Sequence, residues 1–220
     1  IFEYFDMPVE IQNAPDAITP KTAEGNIEFK HVGFGYTPER KILKDINFTL
    51  EKGKSIAIVG PSGSGKSTII NLIPRLYDVQ EGAVTFDGVD VRKLDLDFLR
   101  DKVGIVSQET YLFNGTIRDN LLYAKPDATE KELLEACKKA NIYDFIEKQE
   151  KGLDTPVGNR GLKLSGGEKQ RLSIARILLK DPVLFIFDEA TASLDSISEK
   201  KIQDAIRKRL IRLLSRKQVF

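Results

Sequence analysis

Apolar and polar positions alternate along Ile27-Glu28-Phe29-Lys30-His31-Val32 and again along Ile46-Asn47-Phe48-Thr49-Leu50, and a period of two predicts half-exposed strands. Lys52-Gly53-Lys54 reads as a turn. Ser55-Ile56-Ala57-Ile58-Val59 follows as a short apolar run of the kind found in buried parallel strands. It leads directly into Gly60-Pro61-Ser62-Gly63-Ser64-Gly65-Lys66-Ser67-Thr68 and then into Ile69-Ile70-Asn71-Leu72, which reads as a helix. Between Thr110 and Gly161 the pattern is mainly helical. Thr129 and Glu132 have capping-box spacing, and Leu133, Leu134, Cys137 and Asn141 fall near one face with Ala136 and Ala140 beside them. Val183-Leu184-Phe185-Ile186-Phe187 is a second apolar run, with Asp188-Glu189 at its carboxyl end. A last helix is expected from near Ser196, with Glu199 at capping-box spacing and Ile202, Ile206 and Leu210 in a stripe. Apolar parallel-type strands alternating with helices predict an α/β sheet.

The first 25 residues differ from the rest. Ile1, Phe2, Tyr4 and Phe5 form an apolar cluster, and Pro8, Pro15, Pro20 and Gly25 mark the following stretch as a linker. The chain opens at Ile1 and closes on Arg216-Lys217-Gln218-Val219-Phe220 without a cap or polar tail, so both ends read as cuts.

Composition narrows the function classes. With 34 Lys and Arg against 33 Asp and Glu, the net charge of +1 gives no field for a polyanion, so nucleic acid is not an expected partner. One cysteine, Cys137, excludes an internal disulfide, and one histidine, His31, excludes a histidine-based metal cluster. No apolar run approaches the roughly 18–20 residues that cross a bilayer, and no signal-peptide pattern opens the chain.

Three segments carry chemistry. Gly60 to Ser67 matches the phosphate-binding loop G-x-x-x-x-G-K-[ST] at every fixed position. Its glycines let successive backbone N–H groups face phosphate oxygens, Lys66 reaches the β- and γ-phosphates, and the Ser67 hydroxyl serves Mg²⁺. Asp188 and Glu189 end a buried strand, at the sheet edge where α/β ligands bind. Asp188 suits an acid that positions Mg²⁺ through water, and Glu189 a base that polarises attacking water; the plainer reading is two helix N-terminal acids. Leu164-Ser165-Gly166-Gly167-Glu168-Lys169-Gln170-Arg171 is a second anion site, a serine and two glycines opening a helix from about Glu168 to Lys180. Because one nucleotide already has a full cradle, a second cradle suggests that another copy supplies it across an interface. A Ser N-cap with a Gly-Gly turn is the plainer alternative.

Leu164 to Arg171, in order with the other two segments, resembles the signature sequence of the ATP-binding cassette family, and the resemblance covers nearly all of residues 1–207. It implies a P-loop nucleoside triphosphatase core with a mostly parallel sheet, an N-terminal antiparallel β part and an inserted α-helical part near 109–165. It also implies ATP and Mg²⁺ as ligands. Tyr36 resembles the aromatic residue that stacks on adenine. Gln108, in Val106-Ser107-Gln108-Glu109, resembles the glutamine that contacts Mg²⁺ and the lytic water. Ser193-Leu194-Asp195 resembles a loop at the dimer interface, and Leu164, Ser165, Gly166, Gly167 and Glu168 would meet the nucleotide held by a second copy. Phe2 to Asp6, the segment Tyr111 to Ile117 and the loop Thr155 to Gly161 are similar to those of exporters, although that loop carries Pro156 and Asn159 where exporters commonly have glutamates. The resemblance therefore implies a transmembrane domain fused before residue 26, and a place on the cytoplasmic face of a membrane.

One feature of the family has no counterpart. A switch histidine, expected at a strand end near Phe220, is missing, and Arg207 to Lys217 holds six basic residues and no acid, reading as the cation-rich end of a helix rather than a strand. Either the sequence stops just short of the histidine, or the C-terminal part is altered and the cassette hydrolyses ATP slowly.

Overall fold

A computed structural model describes residues 10–107 and 109–188, together with the backbone of 211–216. Strands β1 (Ile27–Phe34) and β2 (Leu43–Leu50) pair antiparallel with Ile27 opposite Leu50 and Phe29 opposite Phe48. The Phe29 and Phe48 rings stack at 4.5 Å across that register. β4 (Glu81–Phe86) flanks β1 on its other side and β5 (Val89–Asp90) completes the antiparallel sheet. The second sheet is parallel. Its order is β3 (Ser55–Val59), β8 (Ile211–Arg216), β7 (Leu184–Asp188), β6 (Val103–Val106).

The all-apolar run of β7 has a direct physical cause. Leu184 and Ile186 pack into a core shared with β1, β4 and helix α1 (Lys66–Leu72), while Phe185 and Phe187 face a second core beneath the helices. Successive side chains point to opposite faces, so a strand covered on both sides needs apolar residues at every position. The second core joins Leu133, Ala136 and Cys137 of α4 (Glu130–Lys139) to Leu172 and Ala175 of α6 (Gly166–Lys180), with α3 (Ile117–Leu122) and α5 (Tyr143–Glu147) around them. Helix α2 (Leu96–Lys102), capped by the Asp95 carboxylate on the Phe98 N–H, leads into β6.

Two expectations are corrected. The run Ser55 to Val59 is a parallel strand but not a buried one: Ile56 and Ile58 pack on the first core, whereas Ser55, Ala57 and Val59 face the opposite side and are exposed there, belonging to neither core among the described residues. The basic stretch does not end a helix at 211–216; it is β8, inserted between β3 and β7 with Ala57 opposite Leu214 and Phe187 opposite Leu214 on the other side. Its arginines masked a strand whose pairing is decided by two neighbours distant in sequence. The described part of the stretch read as a linker lies against the domain. Asp87 accepts the N–H groups of Glu24, Gly25 and Asn26 at 2.8, 3.1 and 2.8 Å, and Ile18 bridges to the segment around Leu94. The helix expected from Ser196, the apolar cluster Ile1 to Phe5 and the position expected for the switch histidine near Phe220 lie outside the described residues.

Candidate nucleotide site

β3 delivers the chain into the glycine loop, and the loop's conformation is one that glycine alone adopts without strain. Gly63 has φ +79° and Gly65, which caps α1, has φ +91°. A Cβ on Gly65 would also lie 2.7 Å from Leu43 Cδ2, so the loop is seated against β2. Lys66 is buried and its ammonium folds back, donating to the carbonyls of Gly60 and Pro61 at 2.9 Å each. Those two carbonyls hold the cation against the glycine loop. Pro61, Ser62 and Ser64 stay exposed, while Thr68 is buried.

Asp188 stands at the end of β7, and Ser67 at the start of α1 donates its hydroxyl to Asp188 Oδ2 at 3.0 Å. The two lie 121 residues apart, joined because β7 and α1 pack on the same core. A hydroxyl and a carboxylate side by side are the hard oxygen donors that suit Mg²⁺, so the residues present fit that ion. β6 ends at Val106, opposite Phe187 of β7, so the segment entering Gln108 leaves the sheet at the same edge as Asp188. Gln108 itself, Glu189 and Ser193-Leu194-Asp195 lie outside the described residues.

Tyr36 follows β1, is 48% exposed, and places its hydroxyl 3.3 Å from Thr68 Oγ1, which ties it to the glycine loop. Two residues unforeseen in the sequence brace it: Tyr77, whose ring meets that of Tyr36 edge-on at 5.1 Å, and Gln80, whose amide makes two hydrogen bonds to the Gly35 backbone. An aromatic and an amide in the irregular turn after α1 give no periodic signal; only the return of the chain to β1 reveals them.

The signature segment opens α6 at Gly166, two residues earlier than expected. Ser165 is its N-cap: Ser165 Oγ accepts from the Glu168 N–H at 3.3 Å and the Glu168 carboxylate accepts from the Ser165 N–H at 2.7 Å. Ser165 thus caps its helix, and the cap leaves its hydroxyl proton free to donate. Leu164 is buried as the anchor of the turn, Ser165 and Gly166 are exposed, and Gly167 and Glu168 are half-buried.

The signature helix is tied to the segment that follows Gln108. Arg176 of α6 donates to the Tyr111 carbonyl at 3.1 and 2.6 Å through its two terminal nitrogens, and its guanidinium lies over Phe113 at 5.8 Å. Burial lowers the affinity of this guanidinium for its proton. The two exporter-like segments meet as well: Ile117 N–H donates to the Thr155 carbonyl at 3.0 Å and Val157 N–H to the Gly115 carbonyl at 2.9 Å. Pro156 is accommodated there because its neighbours carry both bonds.

The fold, the glycine loop and the carboxylate beside Ser67 together define a P-loop nucleotide-binding domain of α/β architecture. The family described as "ABC transporter" matches residues 43–192, and the chain belongs to that family. It is 44% identical over 204 residues to an uncharacterized ABC transporter ATP-binding protein, YwjA, of Bacillus subtilis, spanning 93% of this chain and 36% of that protein. It is 48% identical over 205 residues to the Beta-(1-->2)glucan export ATP-binding/permease protein NdvA of Rhodopseudomonas palustris, spanning 93% of this chain and 34% of that one. A putative multidrug export ATP-binding/permease protein of Staphylococcus aureus is 48% identical over 207 residues, 94% of this chain and 36% of its own. Among solved structures, a bacterial Atm1-family ABC exporter with ATP bound superposes with a TM-score of 0.92 at 42% identity, covering 98% of this chain and 38% of that one. The chain thus spans about a third of the length of these relatives.

Proposed function

We propose that this chain is the ATP-hydrolysing cassette of an exporter, working as one of a head-to-tail pair and coupled to a transmembrane domain that precedes it in the same polypeptide. The reading is carried by the contact between Ser67 Oγ and Asp188 Oδ2, which puts two oxygen donors suited to Mg²⁺ beside the phosphate loop. The exporter relatives support the coupling to transport. A place on the cytoplasmic face of a membrane follows from that coupling; no helix among the described residues is long and apolar enough to cross a bilayer.

Each group of the chain has a task in this reading. Tyr36 offers its exposed ring to adenine. Lys66 releases the Gly60 and Pro61 carbonyls and turns to the β- and γ-phosphates, while the N–H groups of Gly63, Gly65, Lys66 and Ser67 donate to phosphate oxygens. Mg²⁺, when bound at Ser67, Gln108 and Asp188, supplies Lewis-acid neutralisation of the charge that develops on the transferring phosphoryl group. Glu189 orients a water in line with the γ-phosphorus and accepts its proton as the water oxygen bonds to phosphorus, the bond to the β,γ-bridging oxygen breaks and ADP leaves. Ser165 and Gly167 of one copy donate to the γ-phosphate held by the loop of the other, with Ser193, Leu194 and Asp195 between them, so neither copy alone holds a complete reaction centre. Arg176 carries movement of α6 to the segment after Gln108, and from there to the membrane domain.

The test is Glu189→Gln in the full-length protein. ATP turnover should fall at least about a hundredfold, the usual effect of removing a positioned general base, with ATP binding retained. A crystal of that variant loaded with ATP should place Ser165 of one copy at the γ-phosphate beside Lys66 of the other. Unchanged turnover removes Glu189 from the mechanism, and a signature serine remote from its neighbour's nucleotide removes the paired site.

A further inference from the structure

The turn between α1 and β4 contributes nothing to the chemistry described above, yet it is built with more fastenings than a surface connection needs. Arg75, buried and with φ +53°, pairs with Asp78 through two hydrogen bonds of 2.7 and 3.1 Å. Arg100 of α2 holds the Arg75 carbonyl at 3.1 Å. From this fixed turn two side chains reach the loop that carries Tyr36. Gln80 treats Gly35 as a strand partner: its Oε1 accepts the Gly35 N–H at 2.8 Å and its Nε2 donates to the Gly35 carbonyl at 2.8 Å. Its own N–H donates to the Gly33 carbonyl at 3.1 Å. Tyr77 meets the Tyr36 ring edge-on, 5.1 Å between centroids and 81° between planes, and Phe34 meets Tyr36 at 5.1 Å and 88°.

Tyr77 is 39% exposed and Tyr36 48%, so neither ring is positioned by burial. An exposed tyrosine samples several rotamers and loses that freedom when a flat ligand settles on it. Two rings set at right angles to the Tyr36 plane, with its preceding peptide clamped on both sides, remove that freedom beforehand. The geometry points to Tyr77 and Gln80 as positioning residues for the base-binding ring, preorganising it to receive a planar nucleobase. This deepens the reading of Tyr36 as the adenine platform and rests on it.

The experiment compares binding of ATP and of inorganic tripolyphosphate, which has no base, to the full-length protein. Tyr77→Ala should weaken ATP binding about three- to tenfold, the range an edge-to-face aromatic pair supports, and leave tripolyphosphate binding within about twofold. Tyr77→Phe should restore ATP binding, and Gln80→Ala should weaken it in the same selective way. In a Tyr36→Ala background, Tyr77→Ala should have no further effect. Equal losses for both ligands overturn the inference, since a general loosening of the fold spares neither. So does a loss that persists without Tyr36, because Tyr77 would then touch the base itself. A loss in Tyr36→Ala with none in Tyr77→Ala or Gln80→Ala overturns the inference alone; no loss in Tyr36→Ala overturns the adenine-platform reading and the inference with it.

Discussion

Ser67 Oγ donates a hydrogen bond to Asp188 Oδ2 across 3.0 Å, joining the first turn of α1 to the last residue of β7. The proposed Mg²⁺ site lies at this contact, with both oxygens as its donors. Asp188→Asn should leave ATP binding without Mg²⁺ close to wild type and lower Mg²⁺-dependent turnover by about a hundredfold or more, the scale of losing one preorganised electrostatic group. Steady-state hydrolysis and nucleotide binding with and without the cation check it; equal loss in both binding conditions would mean Asp188 acts on the fold.

The two left-handed glycines of the loop differ in what surrounds them. Gly63→Ala meets only backbone strain, about 1–2 kcal/mol, because nothing lies within 4 Å of the added carbon. Gly65→Ala adds a contact of 2.7 Å with Leu43 Cδ2 and 3.1 Å with Ile42 Cγ2, and overpacking of that kind costs about 1–3 kcal/mol more. Urea denaturation of both variants should rank Gly65→Ala well below Gly63→Ala.

Ser165 has two separable roles. Ser165→Ala removes the cap of α6 and should cost about 1 kcal/mol. Ser165→Asp keeps a good capping acceptor but sets a negative charge where a γ-phosphate is expected, so it should retain the stability and lose ATPase activity in the assembled protein. A Ser165→Asp variant with normal turnover would show that the serine only caps its helix.

The Thr129–Glu132 capping box gives a pH signature. The Lys125 ammonium and the hydrogen bonds from Thr129 hold the Glu132 carboxyl down at about 2, well below its ordinary 4.5. A depressed carboxylate contributes its stability above the unfolded value and loses it as pH falls through the folded one. Glu132→Gln should therefore destabilise the protein near neutrality, and the gap from wild type should narrow between pH 4.5 and about 2, as read by denaturation at a series of pH values.

Cys137 is fully buried on α4 and burial pushes its thiol up to about 12. A neutral, inaccessible thiol is a poor nucleophile. A thiol reagent should leave it unmodified in native buffer and modify it fully in denaturant; rapid native labelling would place an opening in the helical core.

Much of the site was legible in the sequence because its signals are local. A phosphate loop is eight consecutive residues, Thr129–Glu132 and Ser165–Glu168 are three apart, and the Leu184–Phe187 run declares burial on both faces without reference to its partners. Spacing of this kind follows from backbone geometry within one turn or one strand. What needed tertiary structure were the relations between distant segments. Ile211–Arg216 becomes a central strand because β3 and β7 offer it hydrogen bonds on both edges, against the suggestion of its arginines. Ala57 and Val59 stand exposed because the face of β3 that carries them packs on neither core among the described residues, although their run alone reads as buried. Tyr77 and Gln80 reach Tyr36 because the turn after α1 returns to β1, and no periodicity encodes a return. Local torsions and side-chain alternation are written residue by residue; which surfaces meet is set by the packing of the whole, where a hydrogen bond joins Ser67 and Asp188 from positions 121 apart in the chain.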